Sequence, residues 1–543
     1  MMPGRGSVWG SWSVMAASVN GIRLEVERKF DLAGDDVLPE LDDVAGVGAV
    51  EVVPATRLTA TYFDTADLRL ARAGVVLRRR TGGSDAGWHV KLPAPSGSSD
   101  GRLEVRRPAG RSASSVPVEL SELVRGPARG GQVRPVVRVR TSRQVTRLLA
   151  GDGSVLAEVA DDAVTAELLT GPGAATRNNS DGQRGPVSWR EVEIELVDGD
   201  RSLLAKVGKR LRRAGAQPSA AASKLARALS QLDLTAASGG PAGPGDVTGK
   251  QLRSGAVALA HLRAQTAELV ARDPQVRLDL ADSVHRMRVA TRRLRSALAT
   301  FGPFFAPEPV AHLRGELAWL AGVLGAARDA EVMRDRLTAA VTALPPESVI
   351  GPVRERITAT FDQAYRQAHT EVVAALDGRR YLGLLAGLDT LLADPPLTQR
   401  AARPATDQVH ARVRHTLRRV QRALTAARAQ ADPHQQDLLL HEVRKAAKRA
   451  RYAGEAVTAV FGARARRYAA TMKAVHETLG GHQDALLARR ALHDLAQRAH
   501  QAGENTFTYG LLAGLETCGA GDTVTTLAAS TTVIKKAGTT WPN

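Results

Sequence analysis

Glu25, Glu27 and Lys29 alternate along LEVERKF (residues 24–30). An extended chain therefore places two carboxylates and an ammonium on one face, with Leu24, Val26, Arg28 and Phe30 on the other. The same period-two spacing recurs at Arg78 and Arg80, at His89 and Lys91, and at Arg102, Glu104 and Arg106. It returns at Arg138 and Arg140 and at Glu191, Glu193 and Glu195, while Val90, Leu103, Val105, Val139, Val192 and Ile194 occupy intervening positions. On a half-exposed sheet such alternation simply puts charge in water and aliphatic side chains in the core. The sorting by sign points elsewhere, because neighbouring arginines or a row of glutamates repel unless opposite charge lies between them. A cation over the acids and a polyanion over the bases would supply it. Closing about eight strands into a barrel with the charged faces inward would gather both sets around one bore.

The elements that must position these residues divide the 543-residue chain into unlike halves. Up to about residue 200, short alternating runs separated by turn residues predict about eight strands. A helix-like segment, RSLLAKVGKRLRRAG, follows. AASGGPAGPGDVTG (236–249) is rich in Gly, Pro, Ala and Ser and reads as a flexible linker. Beyond it, long Ala/Leu/Arg stretches with helical periodicity predict an all-helical domain to about residue 515. That half repeats itself. HRMRVATRRLRSAL at His285 returns as HEVRKAAKRARYAG at His441, 156 residues on, and LGAARDAEV at Leu324 returns as LGGHQDALL at Leu479, 155 residues on. Two pairs with nearly the same offset imply a duplicated, pseudo-symmetric unit. In each copy, three basic residues follow the histidine at helical spacing: Arg288, Arg292 and Arg295 after His285, and Arg444, Lys448 and Arg451 after His441.

Lys and Arg outnumber Asp and Glu by 74 to 56, a net charge of +18. That balance favours nucleic acid, an anionic membrane surface or phosphate-rich small molecules, without choosing among them. One cysteine, Cys518, excludes an internal disulfide, and no Cys/His cluster has zinc-module spacing. HEVRK (441–445) and HETLGGH (476–482) lack the second His of HExxH, and PGDVTGKQ (244–251) lacks the first Gly and the Ser/Thr of a P-loop. The first residues make a poor signal peptide, and no apolar run of about 18 residues predicts a membrane span, so the expected location is the cytoplasm.

LEVERKF fits the ExExK signature of CYTH domains, the triphosphate tunnel metalloenzymes. The resemblance extends through YFDT (62–65), LRRR (77–80), HVKLP (89–93), RLEVRRP (102–108), EVEIEL (191–196) and SKLARAL (223–229). It implies an eight-stranded antiparallel tunnel that binds a linear triphosphate with Mg²⁺ or Mn²⁺, most often to hydrolyse it, while some relatives cyclise ATP or act on thiamine triphosphate. On that resemblance Glu25, Glu27, Glu193 and Glu195, with Asp161 or Asp162, hold the metal, Asp162 being preferred. Lys29, Arg78, Arg80, Lys91, Arg106, Arg138, Arg140 and Lys224 clamp phosphate, with Arg143 a further candidate. Glu25, Glu27 and Lys29 are the expected catalytic residues, and Glu191 supports the metal from behind. Oxygen-only ligands suit a hard divalent ion, and guanidinium forks match phosphate oxygens.

The helical half resembles the CHAD domain through HRMRVATRRLRSAL, LGAARDAEV and HEVRKAAKRARY, which implies two pseudo-symmetric helical bundles binding inorganic polyphosphate. The matching positions are His285, Arg288, Arg292, Arg293, Arg295, His441, Arg444, Lys445, Lys448, Arg449 and Arg451. The expected organisation is an N-terminal segment 1–20, a tunnel domain 21–235, a linker 236–250, a helical domain 251–518 in repeats of about 251–400 and 401–518, and a loose tail 519–543. The expected activity is metal-dependent hydrolysis of tripolyphosphate or a similar linear triphosphate, with polyphosphate as partner and polyphosphate granules as an associated location. The alternatives are a non-catalytic polyphosphate-targeting protein, an ATP-cyclising enzyme and, ranked lower for want of aromatic stacking motifs, a nucleic-acid binder.

Overall fold

The computed structural model describes residues 21–33, 36–94, 101–110, 115–169, 185–232, 234, 252–519 and 531–534. The segment 1–20 and the linker 236–250 lie outside these residues, as does the tail except Gly519 and 531–534. The chain divides into two compact units, Met1–Pro241 and Ala242–Asn543.

The first unit contains strands β1 (Ile22–Asp31), β2 (Ala49–Asp64), β3 (Val76–Thr81), β4 (Gly87–Pro93), β5 (Gly101–Arg107), β6 (Arg134–Leu149), β7 (Val155–Leu168) and β8 (Val187–Leu196). They are hydrogen-bonded in the order β5-β4-β3-β2-β6-β7-β8-β1, and β1 pairs again with β5, so the antiparallel sheet closes into an eight-stranded barrel. Two short helices, α1 (Arg69–Arg72) and α2 (Val118–Leu123), lie in the connections. The YFDT turn has a structural cause. The buried Asp64 carboxylate accepts the backbone N–H groups of Thr65, Leu70 and Ala71 at 2.7, 2.8 and 2.9 Å, which fixes the chain leaving β2.

Two apolar clusters set which side chains point where. Outside the barrel, Val26, Phe30, Val159, Val192 and Ile194 pack on Leu203, Leu204, Val207 and Leu211 of α3 (Arg201–Arg213), so their strand neighbours at odd spacing must face inward. At one end the interior itself is apolar. There Ala60, Tyr62, Val137, Val139, Val164, Ala166 and Trp189 pack against Leu225, Ala228 and Leu229 of α4 (Lys224–Gln231). Ser223 caps that helix by accepting the N–H of Ala226 at 3.1 Å. A two-residue strand, β9 (Gln217–Pro218), pairs with β1.

The second unit is helical: α5 (Ser254–Arg277), α6 (Ser283–Phe301), α7 (Pro307–Thr342), α8 (Val353–Asp377), α9 (Arg379–Ala393), α10 (Ala405–Ala429), α11 (Pro433–Ala456), α12 (Thr458–Gln501) and α13 (Phe507–Gly519). Packing runs α5–α6–α7–α8 in the first copy and α10–α11–α12–α13 in the second, and α6 meets α11. A shared core joins the copies: Leu337, Val341, Val353 and Ile357 from the first pack with Leu492, Leu495, Tyr509 and Leu512 from the second. α12 carries a break at Gly462, whose φ of 51° and ψ of −126° are non-helical. No helix among the described residues is long and apolar enough to cross a membrane.

Candidate functional site

Beyond the apolar plug, the barrel interior turns polar and encloses a cavity of about 300 Å³. β1 contributes Glu25, Glu27 and Lys29, β3 contributes Arg78 and Arg80, β4 gives Lys91 and β8 gives Glu193 and Glu195. Arg106 reaches its mouth from β5 and Lys224 enters from the first turn of α4. The strand registers explain the convergence, since Glu27 faces Glu195 and Lys29 faces Glu193 across the β1–β8 ladder.

The DD pair in β7 resolves by parity. Asp162 is fully buried and takes a bidentate contact from Arg143, at 2.8 Å from Nε and 2.6 Å from Nη2. Asp161 points outward to Arg190 at 2.7 Å. Arg138 and Arg140 are not brought into the cavity. Their β2 partners are Thr61 and Thr59, on the outer face, and both guanidiniums pair with Glu167, at 2.9 and 3.2 Å. The expectation that the charged side of every strand faces the bore fails here, because the first half of β6 turns Val137 and Val139 inward against α4. Arg143, three residues beyond Arg140, has the inward parity and lines the cavity from this strand together with Arg147.

The carboxylates fall into two sets. Asp162, Glu191 and Glu193 offer ligand atoms within 4.8 Å of one another and form a trio able to hold a metal ion. The Lys224 ammonium stands among them, at 2.9 Å from Asp162 and 2.7 Å from both Glu191 and Glu193. Burial opposes charge on Lys224, but Asp162 and then Glu193 outweigh it and push its pKa above the ordinary lysine value. Glu193 also contacts Lys29 and accepts from Arg143 at 2.7 Å; these cations, Lys224 foremost, hold its carboxyl well below the usual range despite burial. Glu191, expected only as a support, is therefore a full member of this trio, and it also accepts from the Trp189 indole at 2.6 Å.

The second set is Glu25, Glu27 and Glu195; against its burial, Lys29 and then Lys91 hold Glu27 below the ordinary carboxylate range, whereas Glu195 is less well neutralised. Burial first and then the nearby Glu25 push the Glu195 carboxyl up to about 7, while Lys91 and Arg23 pull the other way. Lys91 lies 2.6 Å from Glu25, and Arg23 lies 3.1 Å from Glu195. A further acid, Glu104, was legible only as part of the period-two pattern. It is buried, receives Arg106 at 2.6 Å and meets His89 Nδ1 at 2.9 Å. Against its burial, the His89 hydrogen bond and the charge of Lys91 hold Glu104 far below the usual range, while burial pushes His89 down to about 4 and keeps its ring neutral. Asp85, in the β3–β4 turn, folds onto Arg80.

In the helical unit the duplicated motifs acquire a geometry. Arg288 on α6 faces Asp329 at 3.5 Å, and Arg444 on α11 faces Asp484 at 3.6 Å. Each guanidinium lies over a glycine: a Cβ on Gly325 would stand 3.8 Å from Arg288 Nη2, and one on Gly480 would stand 3.4 Å from Arg444 Nη2. The LGAARD and LGGHQD motifs thus provide space for an arginine and an acid to aim it. Arg292 and Lys448 are repeat equivalents and lie in each other's field, together with Arg288 and Arg444. Burial and then Arg292 bring Lys448 down to about 7. The Nε atoms of Arg288, Arg292 and Arg444 are buried without a hydrogen-bond partner.

The other expected positions distribute around this centre. His285 is held near 4 by burial and Arg328, and His441 is lowered by burial and Lys445. Arg293 and Arg451 go to Glu455, Lys445 goes to Glu442, and Arg295 lies near Arg449 in a separate patch. Sequence reasoning missed His476 on α12. Its ring is pushed to about 3 by burial and Lys448, and both nitrogens are buried without a hydrogen-bond partner.

Comparison with known proteins adds the following. The family model of the CYTH domain matches residues 23–229, and that of the CHAD domain matches residues 260–493. Uncharacterized proteins from two strains of Mycobacterium tuberculosis are each 39% identical over 496 residues, covering 90% of this chain and 92% of theirs. Among solved structures, the CHAD domain of the plant Ricinus communis is 26% identical with a TM-score of 0.42, over 53% of this chain and 93% of that one. A Hippeastrum protein, HpAC1, described as having a dominant triphosphatase activity, is 18% identical with a TM-score of 0.23, over 38% of this chain and 96% of its own.

Proposed function

Because the chain belongs to the family in which a CYTH domain is fused to a CHAD domain, we propose that its barrel is a divalent-metal-dependent triphosphatase acting on tripolyphosphate or a similar linear triphosphate. The helical unit binds inorganic polyphosphate and holds the enzyme at polyphosphate stores. One observation carries the first part: ten Lys and Arg side chains and seven carboxylates line a single enclosed cavity. The excess of three positive charges, with acids still insufficiently neutralised at Glu195, suits a polyanion that arrives with a cation.

The donor set fits a hard divalent ion, since every acidic group lining the bore offers only oxygen. Glu25, Glu27 and Glu195 would hold it, with Glu193 and Asp162 adjoining. Mg²⁺ or Mn²⁺ there supplies Lewis acidity and neutralises phosphate charge. Arg78, Arg80, Lys91 and Arg143 exchange their carboxylate partners for phosphoryl oxygens, and Lys29 and Lys224 add point charge from the β1 and α4 side. Because these groups are already held in place by Glu104, Asp85, Glu25, Asp162 and Glu193, little reorganisation remains when charge develops on the transferring phosphoryl group. Water attacks the terminal phosphorus in line, the bridging P–O bond breaks with diphosphate as the leaving group, the attacking water gives up its proton to solvent, and inorganic phosphate and diphosphate are released.

Phosphate release from tripolyphosphate with Mg²⁺, compared with a Glu25→Gln/Glu27→Gln variant, tests the enzymatic reading; equal release from both rejects it. Running ATP and thiamine triphosphate beside it, and assaying cyclic AMP, separates hydrolysis from cyclisation. For the helical unit, the partnerless arginine Nε atoms facing across the α6–α11 contact support polyphosphate binding. Competition between long-chain polyphosphate and duplex DNA at fixed salt tests it, and a preference for DNA overturns it.

A further inference from the structure

β1 changes neighbours along one edge where it passes the bore. Val26 faces Gly101 of β5, Phe30 faces Pro218 of β9, and between them the Lys29 carbonyl accepts the Ser219 N–H at 2.9 Å. A second cavity, of about 440 Å³, lies against this seam. Glu27, Lys29, Arg102 and Ala222 line it and also line the bore, so the two spaces meet at these residues. The bore's plugged end offers an anion no way out, because Tyr62, Val139 and Trp189 pack against α4 there and an unpaired charge does not cross an apolar plug.

Arg102 differs from the other cations of the bore. Every other Lys or Arg lining it forms an ion pair with a carboxylate. The cross-strand neighbour of Arg102 is Glu25, and Glu25 is taken by Lys91 at 2.6 Å. Among the described residues Arg102 meets no carboxylate, and its Nη1 is buried without a hydrogen-bond partner. A buried guanidinium nitrogen left unpaired is costly, and an oxyanion would relieve that cost. On its far side the second cavity adds Arg28, which has the outward parity of Val26 and Phe30, and Arg212, exposed in the last turn of α3. The acid among its described lining residues is Glu27, which Lys29 already meets at 3.1 Å. Arg28, Lys29, Arg102 and Arg212 against one carboxylate, in a space bordered by Gly101 and Ala221, suit a small anion.

We propose that this cavity is a binding site for inorganic phosphate leaving the bore, with Arg102 holding the anion at the wall between the two spaces. The identity of the anion rests on the triphosphatase reading; the site itself rests on the shared wall and the unpaired guanidinium. On that reading Glu27 and Lys29 stand where the anhydride is broken, so the released phosphate meets Lys29, then Arg102, then Arg28 and the exposed Arg212. Because the site lies beside the bore and not in it, it fills whether or not tripolyphosphate is bound.

The test uses the full-length protein and added orthophosphate, with loss of tripolyphosphate followed by ion chromatography at fixed free Mg²⁺ and ionic strength. In the wild type, orthophosphate is expected to lower the rate even at saturating tripolyphosphate. Arg28→Ala/Arg212→Ala, and Arg212→Glu alone at an exposed position, should raise the inhibition constant by about tenfold and leave competition only, while kcat/KM without added phosphate stays within about twofold. Purely competitive inhibition of the wild type, or an inhibition constant unchanged in both variants, overturns the proposal. So does loss of the effect in Arg288→Ala/Arg444→Ala with both barrel variants unaffected, which assigns the phosphate to the helical unit. Equilibrium dialysis of orthophosphate against the protein without tripolyphosphate separates this site from the enzymatic reading. There Arg102→Gln and Arg212→Glu should each lose bound phosphate; a chain that shows this loss and hydrolyses nothing keeps the site and drops the triphosphatase, and equal binding by wild type and variants rejects the site.

Discussion

Replacing Lys224 with methionine should expose how much of the barrel's stability hangs on one ammonium. Lys224 is 7% exposed and lies within 2.9 Å of Asp162, Glu191 and Glu193, so methionine keeps most of the volume and removes the charge. Arg143 still serves Asp162 and Glu193, and Lys29 still serves Glu193, but Glu191 loses its close ammonium. Breaking a buried ion pair by removing one partner costs about 3–5 kcal/mol. For a unit of this size that corresponds to a fall in Tm of roughly 10 °C. The assay is thermal unfolding followed by tryptophan fluorescence, for which Trp189, donating to Glu191, is a local reporter. The pH dependence has a definite sign. Asp162 and Glu193 have lowered pKa values in the wild type, so their contribution is present above the ordinary carboxylate range and is lost as pH falls through their folded values. In the variant those values rise, so the deficit is largest near neutrality and shrinks as the pH approaches the carboxylate range. Adding Glu191→Gln should recover part of the loss. A Tm unchanged within about 2 °C, or a deficit that does not vary with pH, refutes the placement of Lys224 as the counter-charge of this trio.

Three further outcomes are expected. Arg138→Ala/Arg140→Ala, on the outer face, should leave kcat/KM for tripolyphosphate within about twofold, whereas Arg143→Ala should lower it by about a hundredfold, the loss of a charge-assisted bidentate contact in the bore. Asp161→Asn should change stability by less than about 1 kcal/mol, as for an outer ion pair, while Asp162→Asn, at a fully buried position, should lower Tm and activity together in unfolding and phosphate-release assays. Lys448, with its pKa near 7, should make polyphosphate affinity rise as pH falls from about 8.5 to 6, because protonation adds a charge to the centre; Lys448→Arg should flatten that dependence in a binding titration across the same range. The same depressed pKa makes stability rise with pH between about 7 and 10.4, since the unfolded lysine holds its proton longer.

The strands were legible because period-two alternation is a direct imprint of the pleat, and the barrel's closure follows from having no spare edge. Parity was legible only where charge and burial agreed. In β1, β3 and β8 the charged residues face the bore and the aliphatic ones meet α3 or the outer core, so Glu25, Arg78 and Glu193 were found from sequence. In β6 the inward face changes character along its length, from Val137 and Val139 against α4 to Arg143 and Arg147 in the cavity. A rule that charge points inward therefore selects Arg138 and Arg140, which occupy the wrong face. The signal that could have corrected it is the spacing within RVRTSR: Arg143 is out of phase with Arg138 and Arg140 and in phase with the valines. Likewise nothing local marks His476 as a neighbour of Lys448, because that proximity exists only once α11 and α12 have packed.

The interleaving of acids and bases in the bore has its own physical logic. A tunnel lined by arginines alone would repel itself and destabilise the barrel before any ligand arrived, while a neutral one would attract nothing. Here Glu104 holds Arg78 and Arg106, Glu25 holds Lys91, and Asp162 with Glu193 hold Arg143. Each of these cations is fixed in its rotamer by an acid that, on the proposed function, a phosphate would replace, so the ligand would meet oriented donors. The acids released by that exchange would become the surplus negative charge, and Glu25 is among the residues that would hold a divalent ion, with Glu193 adjoining. On the proposed function, binding of phosphate and binding of cation would be coupled through the same carboxylates, so that each should tighten the other, reciprocally and by the same factor. Calorimetric titration of Mg²⁺ with and without a non-hydrolysable triphosphate measures that factor, and equal Mg²⁺ affinity in the two titrations would mean the acids and bases act independently.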